Sequence, residues 1–341
     1  MECLRALFWG HFCSFIYIND LSNVVDNSDV LTFADDTKVI SKISNVTDKN
    51  NLQSDLNNII NWSTANNMVL NSDKFELVNY RLNKENQNQN NFNNVLPFHE
   101  NYFTYQATNG MTIFPSANVR DLGVVIDQQL NFDAHINNIA SKAKQTCAWI
   151  LSVFYTRDRH TMLFLFNSLV RPKLEYCDAL WNPYLTKHIT RIEGVQRFFT
   201  SKISGMQDMN YWERLRDLNI ISLQRRRERN IILLLWKMKN QIIPNCFKIE
   251  FRENKRAGGI KAILKPLSKI KGRVQTVYDA SFPIVSAKLW NTLPGKLTLL
   301  QSLSSFKSGL DNHLWSISDE PPLPGYPFQS NNSLTNQHLR H

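Results

Sequence analysis

The chain lacks any Cys-x-x-Cys pair, and no histidine cluster flanks its five cysteines, Cys3, Cys13, Cys147, Cys177 and Cys246. A structural zinc site needs several thiolate or imidazole ligands at close spacing, so that class is set aside. The cysteines are scattered and odd in number. That fits reduced, mostly buried thiols in an intracellular protein, with nucleus and cytoplasm both open. Long apolar runs are absent too. The richest stretch, Ala6 to Leu21, is interrupted by Gly10, His11 and Asn19 and is too short to span a bilayer, so no membrane partner is expected. It has Arg5 but also Glu2 near its start, and no clean small-residue cleavage site follows, so it reads poorly as a signal peptide. The expectation is a buried segment of the first fold, cut open on its N-terminal side. Acids are short relative to bases, 29 against 39, which leaves a net charge of +10. That balance fits a polyanionic partner, nucleic acid ahead of membrane, and fits a mildly basic solvated surface about equally well.

What is present begins with Phe33-Ala34-Asp35-Asp36, set between Val30-Leu31-Thr32 and Val39-Ile40. Adjacent acids repel and are costly inside a strand, so the pattern predicts two short strands around a tight turn. Either the turn points its acids at solvent, or it presents a carboxylate to divalent metal and phosphate. Thr47 is placed to cap a following helix with Leu52, Leu56, Ile59 and Trp62 on one face. Leu70-Asn71-Ser72-Asp73-Lys74 reads as a turn leading into a strand with Phe75 and Leu77 alternating. Residues 83–94 are nearly all Asn, Gln and charge and read as a loose insertion.

Leu122, Val124 and Ile126 fit one face of a strand bent at Gly123. A long helix follows, with Phe132, Ile136, Ile139, Ala143, Cys147, Ile150 and Phe154 at helical spacing. Asp158 starts another, through Met162, Leu165, Phe166 and Leu169, which Pro172 is expected to end. Thr186 is expected to cap a third, with Ile189, Ile192, Val195 and Phe199 inward, and the three suggest a small bundle. Further helices are predicted near 210–218 and 223–240. The second opens with Arg225-Arg226-Arg227-Glu228-Arg229, read as a solvated helix end or a nuclear-localisation-like run. Trp181, Trp236 and Trp290 are assigned to the core, and 251–277 shows little pattern.

In this order the segments resemble the C-terminal part of the reverse transcriptase of non-LTR, LINE-like retrotransposons of the jockey and CR1 kind. Phe33 to Asp36 is similar to that family's aromatic-x-Asp-Asp palm hairpin, and Phe15 to Leu21 to the helix before it. Leu70 to Lys74 resembles the next palm motif, and Leu122 to Asp127, with His135, the palm–thumb joint. Leu169 to Cys177, Leu180 to Tyr184, Ile192 to Phe199 and Leu289 to Pro294 resemble the thumb and C-terminal signatures. The resemblance implies an α+β chain: a partial palm over 1–130, a helical thumb over 131–245, a C-terminal region over 246–317 and a flexible tail over 318–341.

It also implies roles. Asp35 and Asp36 would be catalytic and hold magnesium, Phe33 would support the primer end, and Lys74 would sit near the leaving phosphates. Lys142, Lys144, Arg157, Arg159, Lys187, Arg191 and Arg197 would grip RNA template, DNA primer or their hybrid. No protein partner is implied. The family's first palm aspartate and its fingers have no counterpart among the residues before Asp35. The implied activity is RNA-directed DNA polymerase, in a fragment expected to be inactive alone, with magnesium as cofactor only if the site is completed. The alternative is a non-catalytic, nucleic-acid-binding or non-functional remnant.

Overall fold

A computed structural model describes residues 18–34, 36–68, 70–80, 104–107, 110–255, 258–264, 272–319 and 333–335. Asp35, Cys3, Cys13 and the 83–94 insertion lie outside the described residues. The chain is mixed helix and strand and divides into two compact units, 1–119 and 120–341.

In the first unit, β1 (Asp29–Phe33) and β2 (Asp36–Ile40) form an antiparallel hairpin in which Phe33 faces Asp36, leaving a two-residue turn. Such turns favour a left-handed first residue. Here Ala34 takes that place at φ 53°. The hairpin stands as a two-stranded sheet among the described residues. Val39 turns toward a small core of Ile18, Leu21, Ile59 and Trp62, whereas Leu31 and Phe33 are exposed.

The helix behind it, α1 (Val46–Ala65), is capped by Asn45 and not Thr47. Asn45 and Asp48 make a reciprocal capping box, which satisfies two orphan donors where a threonine would satisfy one. The buried Asp55 carboxylate on α1 accepts from the Asp26 and Asn27 amides and from Ser28 Oγ at 2.7 Å. That fixes the approach to β1. Burial alone would raise its pKa, but these hydrogen bonds prevail and hold the carboxyl below its usual value. Leu70 to Lys74 forms only a short 3-10 turn, and the strand expected after it reduces to one bridge between Leu77 and Pro115. One short pair completes the first unit, β3 (Tyr105–Gln106) with β4 (Thr112–Ile113), and the hairpin of β5 (Asn118–Asp121) with β6 (Val124–Asp127) leads into the second. The strand expected across 122–126 breaks there because Leu122 (φ 44°) and Gly123 (φ 85°) make the β5–β6 turn.

The second unit is mainly helical. In α2 (Asp133–Val153), Ile136, Ala143, Cys147 and Ile150 are fully buried, while Ile139 and Phe154 are half-buried. Asp158 caps α3 (Arg159–Leu165) through Thr161 N at 2.9 Å. Pro172 does not end this helix. The chain passes through a π turn at Phe166–Val170, and Pro172 then sits in the first turn of α4 (Arg171–Glu175). There the π turn has already interrupted the regular hydrogen-bond ladder, which accommodates a residue without an N–H. A short α5 (Asp178–Trp181) leads to α6 (Thr186–Thr200). Leu185, not Thr186, occupies the cap position of α6, without a side-chain bond. Its inward residues Ile189, Ile192, Val195 and Phe199 are buried as expected. Cys147 is buried, its thiol pushed up to about 12 by desolvation. Cys177 and Cys246 are exposed, against the expectation of mostly buried thiols. Cys177 sits at φ 52° in the turn before α5, and Cys246 lies in a loop.

Next come α7 (Tyr211–Asp217) and α8 (Leu223–Lys239). The apolar half of α8 packs with α10 (Phe282–Asn291) and α12 (Leu303–Ser316). Trp236 stacks on Phe306 at 5.4 Å, and Phe306 on Trp290 at 5.9 Å. The weakly patterned 251–277 region holds a hairpin, β7 (Glu250–Glu253) with β8 (Ile260–Ile263), and α9 (Gly272–Ala280). The hairpin is fixed from outside. Asn291 clamps Ala262 through both backbone groups, and Trp290 Nε1 donates to Ile260 O at 2.8 Å. Gly259 lies so close to α11 (Gly295–Thr298) that a Cβ would meet Gly295 Cα at 2.5 Å.

The basic run at the start of α8 is not a solvated helix end. Arg225 and Arg227 are among the most deeply buried side chains. Arg226 pairs with Glu175, and Arg229 with Asp311, each through two guanidinium nitrogens. Glu193 on α6 is fully buried beneath α8; it accepts from Tyr211 Oη and from the Leu223 and Gln224 amides. Burial raises the pKa values of Glu193 and Tyr211 and lowers that of Arg227.

The described residues beyond 318 also join this region. Asp319 accepts from Ser222 N at 2.5 Å, and Glu228 holds Ser333 Oγ and the amide of the buried Leu334. At these described positions the expected flexible tail is docked, because buried donors and acceptors of α8 need partners.

Two outcomes follow. Ala34→Gly should stabilise the first unit by about 1 kcal/mol, because it relieves a left-handed alanine. Urea melts of both variants measure this, and an unchanged midpoint would contradict the turn geometry. Burial pushes the Asp178 carboxyl up to about 6, although Asn230 donates to it at 2.7 Å. The folded chain then keeps this proton to about pH 6, while the unfolded chain releases it near 4. Its contribution to stability is full below about pH 4 and falls by about 3 kcal/mol as pH rises to about 6. Melts of Asp178→Asn at several pH values should lose this decline; the same slope in both proteins would refute it.

Candidate nucleic-acid interface

The seven basic residues expected to grip nucleic acid separate into three groups. Arg157 turns back onto the end of α2, donating to Leu151 O at 2.7 Å, Thr156 O at 3.0 Å and Phe154 O. It satisfies carbonyls that the helix end leaves open. Arg159 pairs with Asp217 at 2.7 Å, and the Arg197 guanidinium lies 4.9 Å above the Tyr211 ring. These three are engaged within the fold.

The remaining four line opposite flanks of α2. Core residues Ile136, Ala143, Cys147 and Ile150 define its inner face, and helical geometry sends Lys142 to one side of it and Lys144 to the other. On the Lys144 flank, α6 approaches. Lys187 pairs with Asp133 at 3.0 Å, and Arg191 donates to Asn137. His188 meets the same Asp133 carboxylate. Burial would raise the Asp133 pKa, but Lys187 and His188 hold it below the usual value.

On the Lys142 flank, α4 approaches, and Lys173 Nζ donates to Thr146 Oγ1 at 2.7 Å. Lys142, Thr146, Trp149 and Val153 form one outer stripe at helical spacing. Trp149 is 53% exposed, and the following Tyr155 is 93% exposed. Trp149 and Lys173 are not among the basic residues that the resemblance selects. The i, i+4, i+7 spacing from Lys142 to Trp149 was the available signal.

A joint supports both flanks. Asp127 Oδ2 accepts from Phe132 N at 2.6 Å, and its Oδ1 from Gln129 N at 2.9 Å, which fixes the turn into α2. Buried His135 accepts from Val125 N at 3.2 Å and lies 5.4 Å from the Trp181 ring. Burial lowers its pKa, so it is a neutral structural group. Trp181, Trp236 and Trp290 are all in the core.

The hairpin residues meet a different environment. Phe33 is 61% exposed on the same face as Asp36, which is also exposed. Lys74 ends the short 3-10 turn with an exposed side chain. Two-metal chemistry needs several hard oxygen ligands converging on one point. Among the described residues no three metal-ligating side chains converge. Asp35, the first metal ligand the resemblance implies, lies outside the described residues. No helix among the described residues is long and apolar enough to cross a membrane.

No family model matches the chain, and no solved structure matches it. It is 28% identical over 112 residues to an uncharacterized protein of Caenorhabditis elegans, covering 32% of this chain and 57% of that protein. It is 26% identical over 89 residues to the protein named "Probable RNA-directed DNA polymerase from transposon X-element" of Drosophila melanogaster. That alignment covers 25% of this chain and 10% of the polymerase. The chain thus spans less than two thirds of either relative, and the likeness supports a reverse-transcriptase relationship over a quarter of its own length.

Proposed function

We propose that this chain is a palm-and-thumb segment of a mobile-element reverse transcriptase whose own part in the reaction is to hold nucleic acid. The reading is carried by the likeness to the transposon polymerase, with Phe33-Ala34-Asp35-Asp36 on the β1–β2 turn as its support within the chain. In this reading the hairpin is the catalytic palm turn and the second unit is the thumb. Asp35 and Asp36 belong to the metal site, Phe33 supports the primer end and Lys74 neutralises leaving phosphates. The exposed Lys142 and Lys144, with Lys187 and Arg191 beside the second, then meet phosphates of the template, the primer or an RNA–DNA hybrid.

The chain alone is expected not to polymerise, because the family's two-metal site needs a further aspartate besides Asp35 and Asp36. A primer-extension assay with magnesium on the purified chain decides this. Extension that disappears in Asp36→Asn would prove the site complete and the inactivity wrong.

Binding without catalysis is favoured by the net charge of +10. Affinity for an RNA–DNA hybrid is expected to fall steeply between low and moderate salt. Lys144→Glu should weaken it and reduce the log–log salt slope by about 1. Absence of binding at low salt would remove the nucleic-acid role.

A further inference from the structure

We infer that the Lys142 flank of α2 binds single-stranded nucleic acid by stacking a base on Trp149, an assignment that rests on the nucleic-acid reading above. Three observations carry it. Trp149 is a large aromatic left 53% exposed near the C-terminal end of a 21-residue helix whose inner face is largely apolar. It does not share the core of its own unit, as Trp181, Trp236 and Trp290 do. The stripe around it is basic and free of acid: Lys142 lies two turns toward the helix start, Val153 one turn on, and no carboxylate occupies the stripe. The third is α4, which brings a second ammonium, Lys173, against Thr146 at 2.7 Å, between Lys142 and Trp149. The acid nearest in sequence, Glu175, is already held by Arg226.

The arrangement discriminates among occupants by charge and shape. Two ammonium groups along one side of a flat ring suit a flexible polyanion with bases turned outward. Single-strand binders combine a basic track with an aromatic platform in this way. A regular duplex keeps its bases stacked inside and would use the lysines without the ring. Phe154 stands at 83° to the Trp149 ring with centroids 6.4 Å apart, and Trp149 remains 53% exposed beside it. The ring and Lys142 share one helix, and Lys173 is tied to that helix through Thr146, so a bound strand would pay little to order them.

The test is fluorescence anisotropy with a labelled, unstructured RNA of about 12 nucleotides, a length within the span of known single-strand sites. The intact chain, Trp149→Ala and Trp149→Phe are compared over a range of salt. Trp149→Ala is expected to weaken binding about five-fold or more with an unchanged salt slope, since stacking releases no counterions. Trp149→Phe, which keeps a ring, should recover most of the affinity. Lys142→Glu should instead reduce the slope by about 1. Salt-dependent binding that ignores Trp149→Ala would overturn this inference and leave the phosphate-gripping function standing. No binding by any form at low salt would overturn both. Sedimentation of the same proteins covers the remaining occupant: if Trp149→Ala abolishes self-association and spares RNA affinity, the face joins two copies of the chain and the inference fails. Thermal melts that match the intact chain exclude misfolding, as expected for an exposed side chain.

Discussion

The second unit depends on how α8 buries its charge. Two of its arginines, Arg225 and Arg227, lie inside the protein, and Arg226 and Arg229 are tied down at its margin. An isolated buried guanidinium is prohibitive, so carboxylates must accompany it. They come from separate parts of the chain: Glu175 before α5, Glu193 on α6, Asp311 on α12 and Asp319 beyond it. Each charge therefore recruits an element. Such pairs add little net stability over an apolar core of equal volume, but removing one partner costs about 3–5 kcal/mol. The lower half of α8, through the Trp236–Phe306–Trp290 stack, supplies the apolar contribution.

This explains what was legible in the sequence. The inner faces of α2 and α6 follow from spacing alone, because helical periodicity and burial agree there. The arginine run misled because its compensation is nonlocal: nothing near residue 225 announces Asp311 or Asp319. Glu228, one turn beyond Arg225, was the local hint. The β7–β8 hairpin was hidden for the same reason, since Asn291 and Trp290 supply the bonds that hold it. The caps differ in kind. Asn45 wins over Thr47 because Asp48 returns the hydrogen bond, a pattern visible in the sequence as Asn-x-x-Asp.

The basic surface shows how composition can overstate a site. Seven residues share a charge and a region, yet Arg157, Arg159 and Arg197 act within the fold. The four others are divided by the buried face of α2. At the hairpin the two-strand pattern is legible, and Asp55, which tethers the approach to β1, is not. Its partners Asp26 to Ser28 are polar loop residues with no periodicity to mark them.

The π turn at Phe166–Val170 sets a rotational phase. One residue of a regular helix advances the side chains by about 100°. In an unbroken helix from Met162, Lys173 would return to within about 20° of the buried Met162, while Leu174 would stand about 120° away. The extra residue of a π turn takes back about 100°. Leu174 then falls onto the inner face, where it is buried, and Lys173 swings outward to reach Thr146. A single backbone insertion thus exchanges which of two neighbouring side chains the protein keeps dry.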